Sequence, residues 1–425
     1  MKLIYLFERR LPYEYDHIDF GYDDVRNYGW DVEVWCLLGL TSNVDVNNMP
    51  KGIKFDTGNY VKYINTFKEF DEAIISLNTD EVFFICYPYH AYDKTSYNIR
   101  KKLYDHNFEF ANMTEPPGFD DNLLRKIPFS FAQAVKHAFR RYILGTGYYF
   151  VMWLKSMFSD QTNKRKFIDC WYRLIGPIKY PSCFNFFTTE LEYYFTPQPF
   201  GKWLEKNILI HASSYTEYLC AKKTTCISKN EYVVFIDQGL ISRDIAFVNA
   251  GLDIPIKNKE KYIKDLCKLF SCLEKKYGCE VVIAAHPKSN YQAGTFGKRK
   301  IMYGRTPELI KNAKLVIHQC STAFFLAVLF KKDFLNIYTK EMWQTPRGDF
   351  KRFYKGFEVI NCKLLDISDE KAVADYENCI LHYDEEKYQK FENVAIIDKN
   401  SICREKHFYT YVCEIIDEWN HKADA

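Results

Sequence analysis

Short, unbroken apolar runs recur along this chain, and the stretches between them return an apolar residue every three to four positions. The runs Lys2–Phe7, Asp31–Leu37 and Glu81–Cys86 predict strands, and Tyr22–Tyr28 and Phe67–Leu77 predict helices between them. Runs that do not alternate with polar residues belong to strands covered on both faces, the condition of a parallel sheet. The chain therefore opens as a βαβ unit. The segment after the first strand, FERRLPYEYD, lacks a glycine-rich turn, so no dinucleotide is expected in this half.

Residues 115–180 break the rhythm. They read as largely helical, punctuated by Pro116-Pro117, Pro128 and Gly176-Pro177, and predict an insertion. Past Pro197 and Pro199 the alternation resumes. Strands are expected at Asn207–His211, Tyr232–Ile236, Glu280–Ala285, Lys314–His318 and Phe334–Tyr338, with helices at Lys259–Tyr277, Thr306–Asn312 and Ala323–Phe330. The expected organisation is an N-terminal α/β domain over 1–205, a second α/β domain over 206–385, and C-terminal helices over 386–425 that cross back to the first domain.

Length and composition agree with that division. At 425 residues and 47% hydrophobic content the chain exceeds one core and suits two domains of roughly 100–200 residues each. The 14 cysteines are scattered without a Cys-X-X-Cys pair, which argues against a zinc site or a disulfide framework and for a reducing compartment. The opening MKLIYLFERR reads as a buried strand, not as the long apolar core of a signal peptide, so a cytoplasmic location is expected. A net charge of +3 with no nucleic-acid-binding motif argues against DNA or RNA as a partner.

The distribution of charge says more than its sum. Between residues 122 and 173 stand Arg125, Lys126, Lys136, Arg140, Arg141, Lys155, Lys164, Arg165, Lys166 and Arg173 against Asp160 and Asp169, with Phe129, Phe131, Tyr148, Tyr149 and Trp153 among the interleaved aromatic residues. The uncharged run from Arg141 to Lys155 is about 13 residues, short of the ~20 of a membrane span. The composition fits a helix lying on an anionic membrane surface, and equally fits core aromatics under a solvated basic face.

Candidate chemistry gathers at the predicted strand ends of the second half, where open parallel sheets bind ligands. Asp237-Gln238-Gly239 follows YVVFI; a carboxylate there, partly desolvated, suits a general base, and also suits a plain turn cap. His286 precedes Pro287, whose ring holds it extended, with Lys288 and Ser289 beyond. The strand ending at His318 runs through Gln319 and Cys320 into Ser321 and Thr322 at a helix start, where hydroxyls and free N–H groups suit a phosphate or serve as caps. Thr306-Pro307-Glu308 opens another helix, placing Glu308 to reach ribose hydroxyls or to complement the helix dipole.

The succession VVFIDQGL, VVIAAHPKSNY, FGKR and TPELIKNAKLVIHQCSTAFFLAVLFKKDFLNI resembles bacterial GT-B glycosyltransferases of surface-polysaccharide synthesis that use CMP-activated ulosonic acids, akin to sialyltransferases and Kdo transferases. The resemblance covers residues 205–345. It implies two Rossmann-like α/β domains facing a cleft, with a CMP-sugar as donor and a lipid-linked or other glycan as acceptor. It further implies Asp237 as the base for the acceptor hydroxyl, His286 at the donor phosphate, Ser321 and Thr322 as phosphate-binding hydroxyls, Glu308 at the ribose, and His318 and Lys288 beside the donor. Gln238 stands where the sialyltransferase pattern has a second acidic residue, which bears on acceptor recognition.

Loss of CMP from such a sugar builds positive character on the ring and negative charge on the departing phosphate, so stabilisation is expected at that phosphate. A base on the opposite face gives a single, inverting displacement. No Asp-X-Asp sequence occurs, so the sequence requires neither a bound cation nor a cofactor besides the donor. Three other functions use the same features: a CDP-alcohol phosphotransferase of the teichoic-acid type, an NDP-sugar-dependent GT-B glycosyltransferase, and a non-catalytic nucleotide-sugar-binding protein.

Overall fold

The computed structural model describes residues 1–8, 11–12, 16–41, 56–87, 93–113, 171–172, 175–176, 179–187, 206–225, 230–242, 244, 253–287, 289–345, 350, 360–397, 399, 401 and 404–423. The basic aromatic stretch up to residue 170 and Lys288 lie outside the described residues.

Each half of the chain builds its own sheet. The first holds β1 (Lys2–Phe7), β2 (Asp31–Cys36), β3 (Val61–Tyr63), β4 (Val82–Tyr87), β5 (Phe110–Met113), β6 (Phe184–Phe187) and β7 (Lys206–Leu209), in the order β3-β2-β1-β4-β5-β6-β7. Every pairing in it is parallel. The second holds β8 (Tyr232–Ile236), β9 (Glu280–Ala285), β10 (Ile301–Tyr303), β11 (Leu315–His318), β12 (Phe334–Tyr338) and β13 (Leu364–Asp366), in the order β10-β9-β8-β11-β12-β13, with β14 (Ile380–Leu381) antiparallel to β12. Both orders run outward from a central first strand and reverse once, which is the Rossmann-like arrangement. The chain thus has two Rossmann-like α/β sheets, one in each half, as the sequence predicts.

Continuous burial explains the continuous apolar runs. All residues of VFFICY in β4 and YVVFI in β8 are buried, because helices cover both faces of a parallel sheet. On one face of the first sheet, Leu3, Tyr5 and Phe7 pack with Phe184, Phe186 and the helix Phe408–Ala423. On the other face, Ile4, Leu6, Phe84 and Phe110 pack with Phe70, Ile74, Ile99 and Leu103 from the helices Phe67–Ile75 and Lys94–Asp105. Polar caps set where the helices begin: the side chains of Thr66, Asp93 and Asn258 accept from Glu69, Ser96 and Lys261 N–H. Gly278, at φ +65°, ends the helix Lys259–Tyr277 in the left-handed conformation that glycine adopts without strain.

Two compact units follow these sheets, the first reaching His211 and resuming near residue 400, the second spanning Ala212–Lys399. The break therefore falls later than residue 205. β7 pairs with β6, Asn207 opposite Asn185, so the strand expected to open the second domain closes the first sheet instead. The C-terminal segment also divides: the helix Glu385–Ala395 belongs to the second unit, and Phe408–Ala423 to the first. The latter returns because Phe408, Val412, Ile415 and Ile416 form one apolar stripe that only the first sheet covers.

Candidate functional site

The strand order of the second sheet reverses between β8 and β11. Their register sets Ile236 opposite His318, so Asp237 and Gln319 are the first residues past two adjacent strand ends. At such a point the connections leave to opposite sides and open a crevice, the usual ligand position in this architecture.

Asp237 is almost fully enclosed. Its N–H still donates to Ala284 O in the ladder with β9 at 3.0 Å, while its side chain is only 5% exposed. Oδ1 accepts from Gly239 N–H at 2.9 Å, a turn closed by Gly239 at φ +64°. Oδ2 accepts from His286 N–H at 3.2 Å and from the Tyr291 hydroxyl at 2.9 Å. Three donors thus surround one carboxylate. Burial, and then the adjacent Asp237 charge, push the Tyr291 phenol well above its ordinary range, so it stays protonated and donates.

His286 is half-exposed past the end of β9, with Pro287 exposed beside it. Ser289 folds back on it, donating N–H (2.9 Å) and hydroxyl (2.6 Å) to His286 O. The backbone of His286 therefore serves Asp237 through its N–H and Ser289 through its carbonyl.

The turn after β11 differs from expectation. The helix begins at Phe324 and ends at Leu329, so Ser321 and Thr322 lie in the turn before it and not in its first turn. Ser321, 7% exposed, accepts from Ala323 N–H at 3.2 Å through Oγ, a cap on the turn, while Thr322 is exposed. Cys320 holds a φ of +41°, a strained value for a residue with a side chain.

His318 is not a donor-facing group. It is fully buried, with Nε2 2.7 Å from Ser321 O and 2.9 Å from Ser321 N and with Nδ1 3.3 Å from Asn336 Oδ1. Burial pushes its pKa down to about 4, leaving a neutral ring that holds the 318–321 turn. Glu308 is half-buried in the helix Thr306–Asn312 and pairs with Arg305 at 3.1 Å, a first-turn acid beside the helix's positive end. Gln238 is half-buried between Asp237 and Gly239.

The structure thus brings Asp237, the His286 backbone and the 319–322 turn to one sheet edge. It adds two residues that the sequence did not single out. Tyr291 reaches Asp237 from the loop after β9. Tyr262, buried on the helix Lys259–Tyr277, donates to Gln319 Oε1 at 2.6 Å, and Gln319 is fully buried beneath the turn. Tyr291 did stand inside the quoted run VVIAAHPKSNY, but no periodicity marks a tyrosine in a loop. Among the described residues, no group of three or more His, Cys, Asp or Glu side chains is placed to hold a metal ion.

No protein-family model matches the chain, and neither does any curated protein sequence. Solved structures align over nearly its whole length at low identity. The UDP-GlcNAc 2-epimerase from Methanocaldococcus jannaschii is 11% identical over 98% of this chain and 100% of its own, with a TM-score of 0.45. The wall teichoic acid polymerase TagF is 11% identical over 100% and 90%, with a TM-score of 0.48. The spinosyn forosaminyltransferase SpnP is 11% identical over 98% and 99%, with a TM-score of 0.41. Likeness at this distance carries no functional argument, and the chemistry rests on the residues at the sheet edge.

Proposed function

We propose that the chain is an inverting glycosyltransferase that moves an ulosonic acid from a CMP-sugar to a glycan acceptor in bacterial surface-polysaccharide synthesis. The observation that carries this reading is the juxtaposition at one strand-order reversal of an enclosed carboxylate, Asp237, with a strained hydroxyl-bearing turn, Cys320-Ser321-Thr322. One side offers a proton acceptor and the other offers hydroxyls and backbone N–H groups to an anion.

In this scheme the acceptor alcohol approaches Asp237 through Oδ1. That oxygen accepts from Gly239 N–H at 2.9 Å. The acceptor oxygen attacks the anomeric carbon as Asp237 takes its proton, and the bond to the CMP phosphate oxygen breaks on the opposite face. The charge that develops on that phosphate is met by Thr322, by the N–H groups of the turn and by the His286 imidazole, with Lys288 and Glu308 assigned to the donor on the resemblance alone. Ser321 Oγ stays available as a donor because it only accepts from Ala323. The scheme contains no metal ion. The proposed acceptor is a lipid-linked glycan at the cytoplasmic membrane face, and the basic aromatic stretch 122–173 has the composition for that surface; no helix of the described residues is long and apolar enough to span it.

The test is incubation of the purified protein with a panel of CMP-ulosonic acids, nucleotide-diphosphate sugars and CDP-alcohols, with and without acceptor glycans. CMP release coupled to a new glycosidic bond is the expected result. A phosphodiester product assigns the phosphotransferase reaction instead, and donor binding without turnover leaves a binding protein; either outcome overturns the proposal.

A further inference from the structure

The turn after β11 keeps its shape through side chains that take no part in the proposed chemistry. Cys320 holds a φ of +41°, and a residue with a side chain rests in the left-handed region only where its surroundings impose it. The residues on either side show what imposes it. His318 lies in register with Asn336 of β12, and its Nδ1 stands 3.3 Å from Asn336 Oδ1. Its Nε2 takes the N–H of Ser321 at 2.9 Å, drawing the chain back toward the strand that it has just left. Gln319 is anchored on another element. Its Oε1 accepts from the Tyr262 hydroxyl at 2.6 Å, and Tyr262 is set in the first turn of the helix Lys259–Tyr277, where its N–H donates to Asn258 O at 3.1 Å. His318 and Gln319 are both 0% exposed and Tyr262 is 4% exposed, so water does not compete for these bonds. With Gln319 tied to a helix and Ser321 tied to His318, the reversal falls on Cys320. A positive φ at the third position of a four-residue turn ordinarily selects glycine.

We infer that Tyr262 is a positioning residue for the donor phosphate: acting through Gln319, it holds Cys320 in its strained conformation and so fixes Ser321 and Thr322 at the sheet edge before a ligand arrives. This deepens the assignment of that turn to the phosphate and rests on it. A neutral hydroxyl–amide bond adds little net stability. What it supplies here is geometry, because a turn already in its bound shape pays no ordering cost when the anion binds. Without the Tyr262 hydroxyl the Gln319 side chain loses its anchor and Cys320 relaxes. Each binding event must then restore the strained turn.

The probe is CMP, titrated by calorimetry into the full chain. Tyr262→Phe, which keeps the ring and removes the hydroxyl, should weaken CMP about tenfold, the equivalent of restoring one strained residue. Gln319→Met should do the same, and the double variant should lose no more than either single one, since both break the same link. Adding Cys320→Gly to Tyr262→Phe should recover most of the loss, because glycine adopts a positive φ without strain. A purely structural tyrosine would lower the urea midpoint, with no such recovery of CMP binding. Unchanged CMP affinity in Tyr262→Phe, additive losses in the double variant, or no recovery with glycine each overturns the inference. Amide exchange needs no ligand: in Tyr262→Phe it should quicken over residues 318–324 with the rest of the second unit unchanged, and unaltered exchange there also overturns the inference. If wild type binds no CMP while that exchange quickens, the CMP-sugar reading fails and the hold of Tyr262 on the turn stands.

Discussion

Glu8 and Arg100 meet at 3.0 Å in the first unit with side chains 2% and 1% exposed, a fully enclosed ion pair between the end of β1 and the helix Lys94–Asp105. Ser96 donates its hydroxyl to the same carboxylate, and Arg100 donates to Ser96 O at 3.1 Å and to Asn112 Oδ1 at 3.2 Å. Asn112 passes the chain of bonds to Asn185 at 3.0 Å, its register partner on β6. Two charges removed from water are tolerated here because each has further hydrogen bonds.

Glu8→Ala should therefore cost about 3–5 kcal/mol, the range for leaving one buried charge without its partner. Glu8→Met combined with Arg100→Met should cost clearly less than either single change. Urea denaturation of Glu8→Met, Arg100→Met and the double variant measures this, and additive losses would show that the pair is not coupled.

The neutral His318 ring makes stability depend on pH. Its folded pKa of about 4 lies below the ordinary value of 6.5, so the unfolded chain binds the extra proton first as pH falls. The stabilisation is complete above pH 6.5 and is lost progressively between 6.5 and 4, up to about 3 kcal/mol. Urea midpoints at pH 7.5 and 5 should fall apart in wild type, and the gap should narrow in His318→Gln.

Lys311 caps a helix from outside it. Its ammonium donates to Ala221 O (2.9 Å), Lys222 O (3.0 Å) and Thr224 O (2.8 Å), at the end of the helix Ser213–Lys223, where carbonyls lack partners and the dipole is negative. Lys311→Met should lower stability by about 1 kcal/mol and increase amide exchange in the last turn of that helix, with the rest of the second unit unchanged.

Asp237→Asn should lower turnover by at least ~10²-fold with the donor that the panel identifies, the low end for loss of a general base. The amide retains the shape, and its single oxygen can accept either from Gly239 N–H or from His286 N–H but not from both; donor binding by calorimetry should stay within a few-fold of wild type. Near-normal turnover in this variant would remove Asp237 from the role.

The chain's own pattern determined much of the second unit. Tyr232–Ile236, Glu280–Ala285, Lys259–Tyr277 and Phe334–Tyr338 are read from it with their observed bounds, because an apolar run buried on both faces or a long amphipathic repeat is a local signal. The polar residues that end those runs, Asp237 and His286, were legible for the same reason: a strand that stops at a polar residue has reached the sheet edge. Tertiary structure alone decided the partners. Asp237 and Tyr291 are 54 positions apart and Glu8 and Arg100 are 92, and nothing local sets such a distance. β6 and β7 are short, and Asn185 and Asn207 interrupt their apolar pattern; each is strand because a neighbour accepts it in register. His318 looked like a ligand group in sequence, since a buried and an exposed histidine are spelled alike, and only packing that encloses the ring and engages both nitrogens tells them apart.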